Sequence, residues 1–153
     1  MTRLLMVAAT DRELFTADGA DPLCCGIGPV EAALATAHAL AERRHDAILH
    51  VGIAGATALP PGTIVIGSEA VYCDVVDANA TLPRVDRLPA ASGLLDAARA
   101  ALPRAEVRPI ATCARVGGGT LCEVEAMEGF GVLRAAALAG ETRSRRSSPR
   151  SEA

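Results

Sequence analysis

The chain has 153 residues, half of them hydrophobic, and a formal net charge of -3; that length supports one domain with a sizeable core and not two. One Tyr, two Phe and an acidic balance argue against a nucleic-acid partner, which needs a basic footprint and stacking platforms. The longest apolar runs fall short of a bilayer span and residues 1–7 carry no cleavage-type site, so a cytoplasmic protein with no membrane partner is expected.

Residues 4–9 are a short apolar run suited to a buried strand, and it ends at Thr10, Asp11, Arg12 and Glu13. Open α/β sheets keep their chemistry at strand ends. Glu13 is therefore either a general base or a solvated carboxylate opening a helix, while Asp11 and Arg12 read as surface residues or a local ion pair. Residues 23–30 then turn through Gly26 and Gly28 into an alanine-rich helix over 31–44, with Pro29 near its first turn and Arg43 and Arg44 in its last. The third glycine of a dinucleotide fingerprint is missing. Close approach of backbone to backbone, or to a ligand, explains the pair equally well.

Residues 47–56 form the most strand-like segment, ending in Gly52, Ala54, Gly55 and Ala56. These small residues leave room for a flat ligand or make a tight turn. Pro60, Pro61 and Gly62 turn the chain into a long strand over 63–74 with a kink at Gly67, and residues 79–88 read as a charged, proline-containing surface loop. An amphipathic helix over 91–102 is closed by Pro103, a strand returns over 107–114, and residues 117–120 are a flexible glycine-rich connection. No Lys-Ser or Lys-Thr follows those glycines, which excludes a P-loop.

The segment Glu125-Ala126-Met127-Glu128-Gly129-Phe130-Gly131 heads an apolar helical run over 132–139. A carboxylate beside a methionine suits a sugar: its oxygens accept from two neighbouring hydroxyls and the thioether lies against the ring. The plain alternative is that Glu128 is favoured in a first helical turn by the helix dipole and that Met127 fills the core. Residues 1–140 read as the domain, and the Arg- and Ser-rich residues 141–153 as a disordered tail, because they cannot bury enough apolar surface to order themselves. The five cysteines, Cys24, Cys25, Cys73, Cys113 and Cys122, lack paired short spacings. Reduced, mostly buried thiols and no metal site are expected.

Five of these pieces occur in an order that resembles the nucleoside phosphorylase superfamily: the strand ending in Glu13, the turn over 26–30 opening a helix, residues 51–56, residues 61–66, and Met127-Glu128-Gly129. Within it they are most similar to the nucleosidases of methylthioadenosine/S-adenosylhomocysteine and futalosine hydrolase type. The resemblance implies an α/β fold, a three-layer α/β/α sandwich around a central mixed sheet, forming a homodimer and using no cofactor. It implies that Glu13 orients and deprotonates the attacking water, and that Met127 and Glu128 hold the ribose. Ile53, Ala54 and Gly55 fall beside ribose and base, although the methylthioadenosine type often has serine at the place of Ile53.

The implied reaction is hydrolysis of the N-ribosyl bond of a modified purine nucleoside, either futalosine-like, as in menaquinone biosynthesis, or methylthioadenosine-like. Cleavage builds oxocarbenium-like charge on the sugar, so a carboxylate nearby and a base for the nucleophile are needed, by the logic of glycoside hydrolysis. Water is favoured because Glu13 stands where phosphorylases have a phosphate-binding Gly-x-Arg loop; a phosphate-using nucleoside phosphorylase is the alternative. The family then has a strand ending in Ser-Asp, whose aspartate protonates the leaving base, and the Arg- and Ser-rich tail occupies that place. The expectation is a chain truncated or frame-shifted beyond Gly140, lacking the last strand and helix, or a relative that binds nucleosides without turnover. Losing a general acid costs on the order of 10²–10⁴ in rate.

Overall fold

The computed structural model describes residues 3–15, 17–117 and 122–147, with side chains described as far as Gly140. Strand β1 (Leu4–Ala8) is apolar throughout and central, with parallel neighbours β2 (Ala20–Cys24) and β3 (Ala47–His50). A strand covered on both faces needs an apolar side chain at every position, and Leu5, Met6, Val7 and Ala8 are all buried. Helix α1 (Pro29–Glu42) links β2 to β3; it starts on proline, which lacks the N–H that a first turn cannot use, and buries Ala32, Thr36 and Leu40 at helical spacing.

The remaining strands form a second, mixed ladder: β4 (Gly55–Ala56), β5 (Val65–Tyr72), β6 (Arg87–Pro89), β7 (Glu106–Thr112) and β8 (Val124–Ala126), in the order β4-β8-β7-β5-β6. β5, β7 and β8 are parallel, while β4 and β6 pair antiparallel at the two edges. The kink expected at Gly67 is a register shift between Gly67 and Ala70, and a Cβ on Gly67 would stand 3.1 Å from Ile110 Cδ1. Between β6 and β7, helix α2 (Ser92–Ala101) lies against β5 with none of its residues fully buried. The mixed α/β architecture is as expected, with its strands in two hydrogen-bonded ladders.

Helix α3 (Gly129–Ser147) ties the ladders together, packing along α1 and against β3, β5, β6 and β7. The helices meet at Gly131, where an added Cβ would stand 2.5 Å from the Pro29 carbonyl oxygen and 3.1 Å from Ala33 N. Only glycine lets the two backbones approach so closely. Leu5, Val7, Cys25, Ala32, Leu40 and Val132 close the core between α1, α3 and the first ladder.

One expectation changes. Glu125 and Ala126 belong to β8 rather than to the head of the helix, which begins at Gly129. The backbone of α3 is helical to Ser147 and so overlaps the first residues of the tail expected from residue 141. Arginine and glutamate are good helix formers, and extending a helix avoids the cost of nucleating one. Residues 148–153 of that tail, and Gly118, Gly119 and Thr120 of the glycine-rich connection, lie outside the described residues. Among the described residues no helix is long and apolar enough to cross a membrane.

Candidate active site

Parallel pairing brings the C-terminal ends of β1, β2 and β3 to one edge, with Ala8 opposite Cys24 and Val7 opposite His50. The chain leaving each of these ends supplies a polar group. After β1 it turns, with Glu13 N donating to the Thr10 carbonyl at 3.1 Å, and the Glu13 carboxylate folds back over the turn. Oε2 accepts from the Thr10 hydroxyl at 2.7 Å and Thr10 N at 3.0 Å, and Oε1 accepts from Ile53 N at 3.0 Å. A Cβ on Gly52 would stand 3.1 Å from Oε1, so a side chain there would displace the carboxylate. Burial opposes ionisation of Glu13. Hydrogen bonds from the Thr10 hydroxyl, Ile53 N and Thr10 N, with the nearby His50, outweigh it and hold the carboxyl below its ordinary pKa. Glu13 sits in a turn and opens no helix.

Glu128, from the other end of the chain, is 7% exposed. Its Oε1 accepts from Gly28 N at 2.8 Å and its Oε2 from Met127 N at 3.2 Å. Gly28, at φ 97°, is the residue before α1, so the carboxylate sits at the positive end of that helix. Its carbonyl also accepts from Val132 N at 3.1 Å, while the Thr112 hydroxyl accepts from Phe130 N at 2.9 Å. Glu128 thereby joins the starts of α1 and α3. Each of its oxygens receives one N–H from the chain and retains a lone pair for another donor.

Cys25, 2% exposed, is pushed up to about 11 by burial first, then by the charge of Glu128 and, more weakly, of Glu13. Neither carboxylate makes an ion pair with an arginine among the described residues. His50 closes the group: its Nδ1 lies 3.8 Å from where a Cβ on Gly129 would stand, beside the Thr112 hydroxyl at 3.7 Å. Burial lowers the pKa of His50 and the Glu13 charge only partly opposes this, so the imidazole is neutral at pH 7.

Of the residues singled out in the sequence, Glu13 and the Ile53 N–H meet beyond the ends of β1 and β3, Ile53 being 84% exposed, while Glu128 meets Gly28 at the start of α1 with Met127 N on its Oε2. Ala54 and Gly55 are exposed and lead away from Glu13 to β8, where Gly55 pairs with Glu125. Glu125 in turn accepts from Gly117 N at 2.7 Å. Thr10, Gly28, Cys25, His50 and Thr112 were not foreseen as members. Thr10 had a signal, since Thr-x-x-Glu is the capping-box spacing and Glu13 does reach back to the Thr10 N–H, though no helix follows. His50 had a weaker one, as the single polar residue in an apolar run.

Solved structures share this fold. A methylthioadenosine/S-adenosylhomocysteine nucleosidase from Colwellia psychrerythraea 34H, in complex with adenine, matches with a TM-score of 0.74 at 24% identity, over 91% of this chain and 78% of that one. The corresponding nucleosidase of Neisseria meningitidis, in complex with methylthio-immucillin-A, matches with a TM-score of 0.73 at 19% identity, over 92% and 81%. A futalosine hydrolase mutant of Helicobacter pylori matches with a TM-score of 0.77 at 14% identity, over 92% and 81%. At these identities the likeness is one of fold. No curated protein sequence matches the chain. The sequence pattern of the phosphorylase superfamily matches residues 22–140, which include α1, both glycines of its turn, and Met127 and Glu128, and the chain belongs to that superfamily.

Proposed function

We propose that the chain binds a purine ribonucleoside at the edge where Glu13 and Glu128 meet, and that it hydrolyses the N-ribosyl bond. The observation that carries this reading lies around His50: its Nδ1 stands 3.8 Å from the Cβ position of Gly129, the residue after Glu128, while Glu13 Oε1 stands 3.1 Å from that of Gly52 and accepts from Ile53 N, and neither carboxylate is paired with an arginine among the described residues. In the proposed reaction Glu128 accepts from the 2'- and 3'-hydroxyls and Met127 lies against the ring. Glu13 accepts a proton from water as its oxygen attacks the anomeric carbon; the C–N bond breaks, and its electrons leave on the base, which takes up a proton. The relatives of similar fold were solved with adenine or methylthio-immucillin-A, or are futalosine hydrolase. The substrate class proposed here is accordingly a modified purine nucleoside of methylthioadenosine or futalosine kind.

One observation favours a second reading, binding without efficient turnover. The backbone continues α3 to Ser147, where the resemblance expects a strand ending in Ser-Asp. Where no aspartate serves the leaving base, the rate falls by the factor on the order of 10²–10⁴ that a general acid supplies. The reading also includes a homodimer in the cytoplasm: Val76 at 83% and Leu82 at 64% exposure lie on one loop as apolar surface for a second copy.

The test is incubation with methylthioadenosine, futalosine and inosine, with and without phosphate. Hydrolysis predicts free base and free sugar in phosphate-free buffer. Base release that requires phosphate would make the chain a phosphorylase. Calorimetric binding with no release over days would leave it a nucleoside-binding protein.

A further inference from the structure

Cys73 and Cys113 lie at the ends of β5 and β7, although they are far apart in sequence. The last register pair of these parallel strands is Tyr72 opposite Thr112, and Cys73 N donates to the Thr112 carbonyl at 3.0 Å. The ladder thus delivers Cys73 and Cys113 side by side, and residues paired in register point to the same face. The Cys73 thiol donates to the Val71 carbonyl at 3.6 Å. Neighbouring strands stand about 4.8 Å apart, inside the roughly 4.4–6.8 Å Cα separation that a disulfide requires.

We propose that Cys73 and Cys113 form a reversible disulfide by exchange with a small-molecule disulfide of the glutathione class. The two thiols divide the work. Cys73 is half-buried, whereas Cys113 is buried and is pushed up to about 12 by burial and by Cys73 beside it. Cys73 is therefore the thiol that a small disulfide reaches first, and Cys113 follows within the protein. Its thiolate attacks one sulfur of the small disulfide, whose S–S bond breaks; the first small thiolate leaves and takes the Cys73 proton. Cys113 then attacks the Cys73 sulfur of the mixed disulfide and expels the second small thiolate, which takes the Cys113 proton. Two protein thiols are oxidised and one small disulfide is reduced to two thiols.

The crosslink joins the residue after Tyr72 to the residue after Thr112. Tyr72 stacks on Phe130 with ring centroids 5.0 Å apart, and Thr112 accepts from Phe130 N. Oxidation therefore fixes the seat of α3 and raises Tm, since it also removes loop freedom from the unfolded chain. Cys122, also near Cys73, is the competing partner.

The test is native incubation of the full chain with oxidised or reduced glutathione, followed by alkylation and peptide mass mapping. The expected product is a peptide pair linked Cys73 to Cys113, with both residues lost from the alkylated pool and recovered by dithiothreitol. The exposed Cys24 reports reagent access independently. Cys73→Ser is expected to leave Cys113 unmodified, while Cys122→Ser leaves the link intact. The proposal is overturned if Cys73 and Cys113 are alkylated equally after either treatment, if the link runs to Cys122, or if Cys113 forms a mixed disulfide in Cys73→Ser. The mapping on the unaltered chain decides the matter even where a variant fails to fold.

Discussion

Glu128→Gln separates a sugar-binding carboxylate from a helix-capping one. In the folded protein Oε1 receives Gly28 N at 2.8 Å and Oε2 receives Met127 N at 3.2 Å, with the residue 7% exposed. An amide has one acceptor oxygen, so it keeps one of these donors and sets an NH2 against the other, costing about 1–3 kcal/mol of stability. The sugar loses a charged acceptor as well. A hydrogen bond to a charged group is worth roughly 1.5–3 kcal/mol, which at about 1.4 kcal/mol per decade is a rise in Kd of about ten- to a hundred-fold. Calorimetry with a purine nucleoside and with its free base distinguishes the effects, because the base has no hydroxyls for Glu128 to hold. The account predicts weaker nucleoside binding and unchanged base binding. Equal weakening of both, or of neither, would refute the role given to Glu128.

The other predictions concern Glu13, the helix contact and pH. Glu13→Gln is expected to lower the turnover number by about 10²–10⁴ with little change in nucleoside affinity, read by single-turnover release of base; an unchanged rate would remove Glu13 as the base. Gly131→Ala puts a methyl 2.5 Å from the Pro29 carbonyl oxygen and is expected to cost about 1–3 kcal/mol by overpacking, seen as a lower urea midpoint with unchanged slope. Both His50 and Glu13 have pKa values below their ordinary ones in the folded protein, so the unfolded chain takes up each proton first. Stability is therefore complete above the ordinary His pKa of about 6.5 and falls as pH drops through that value to the lower folded pKa of His50, and again from the ordinary Glu range down to that of Glu13. His50→Asn is expected to flatten the first of these losses in a plot of Tm against pH, and superimposable curves would contradict it.

Much of this was legible in the residues themselves. The apolar run of β1, the proline and glycines opening α1, and the small residues after β3 each announce local structure through φ preferences or burial, and those elements stand within a few residues of their expected places. The end of α3 was not legible, since composition reports what cannot pack by itself, whereas a helix already begun can carry polar residues further. A shared site for Glu13 and Glu128 is expected only through family resemblance and proposed above, because residues so remote in sequence can be related only by strand order and by the Gly131 contact, which no local pattern encodes. Thr10 and His50 left local signals, whereas Cys25 and Thr112 were illegible because each matters through a hydrogen bond or charge supplied by another element.

The central claim is that one sugar sits between the two carboxylates. A crystal structure of the full chain with a non-hydrolysable purine ribonucleoside analogue tests it most directly. The account predicts the 2'- and 3'-hydroxyls within hydrogen-bond distance of Glu128 and the anomeric carbon facing Glu13. A sugar bound elsewhere on the molecule, or bound here with its hydroxyls turned away from Glu128, would contradict it.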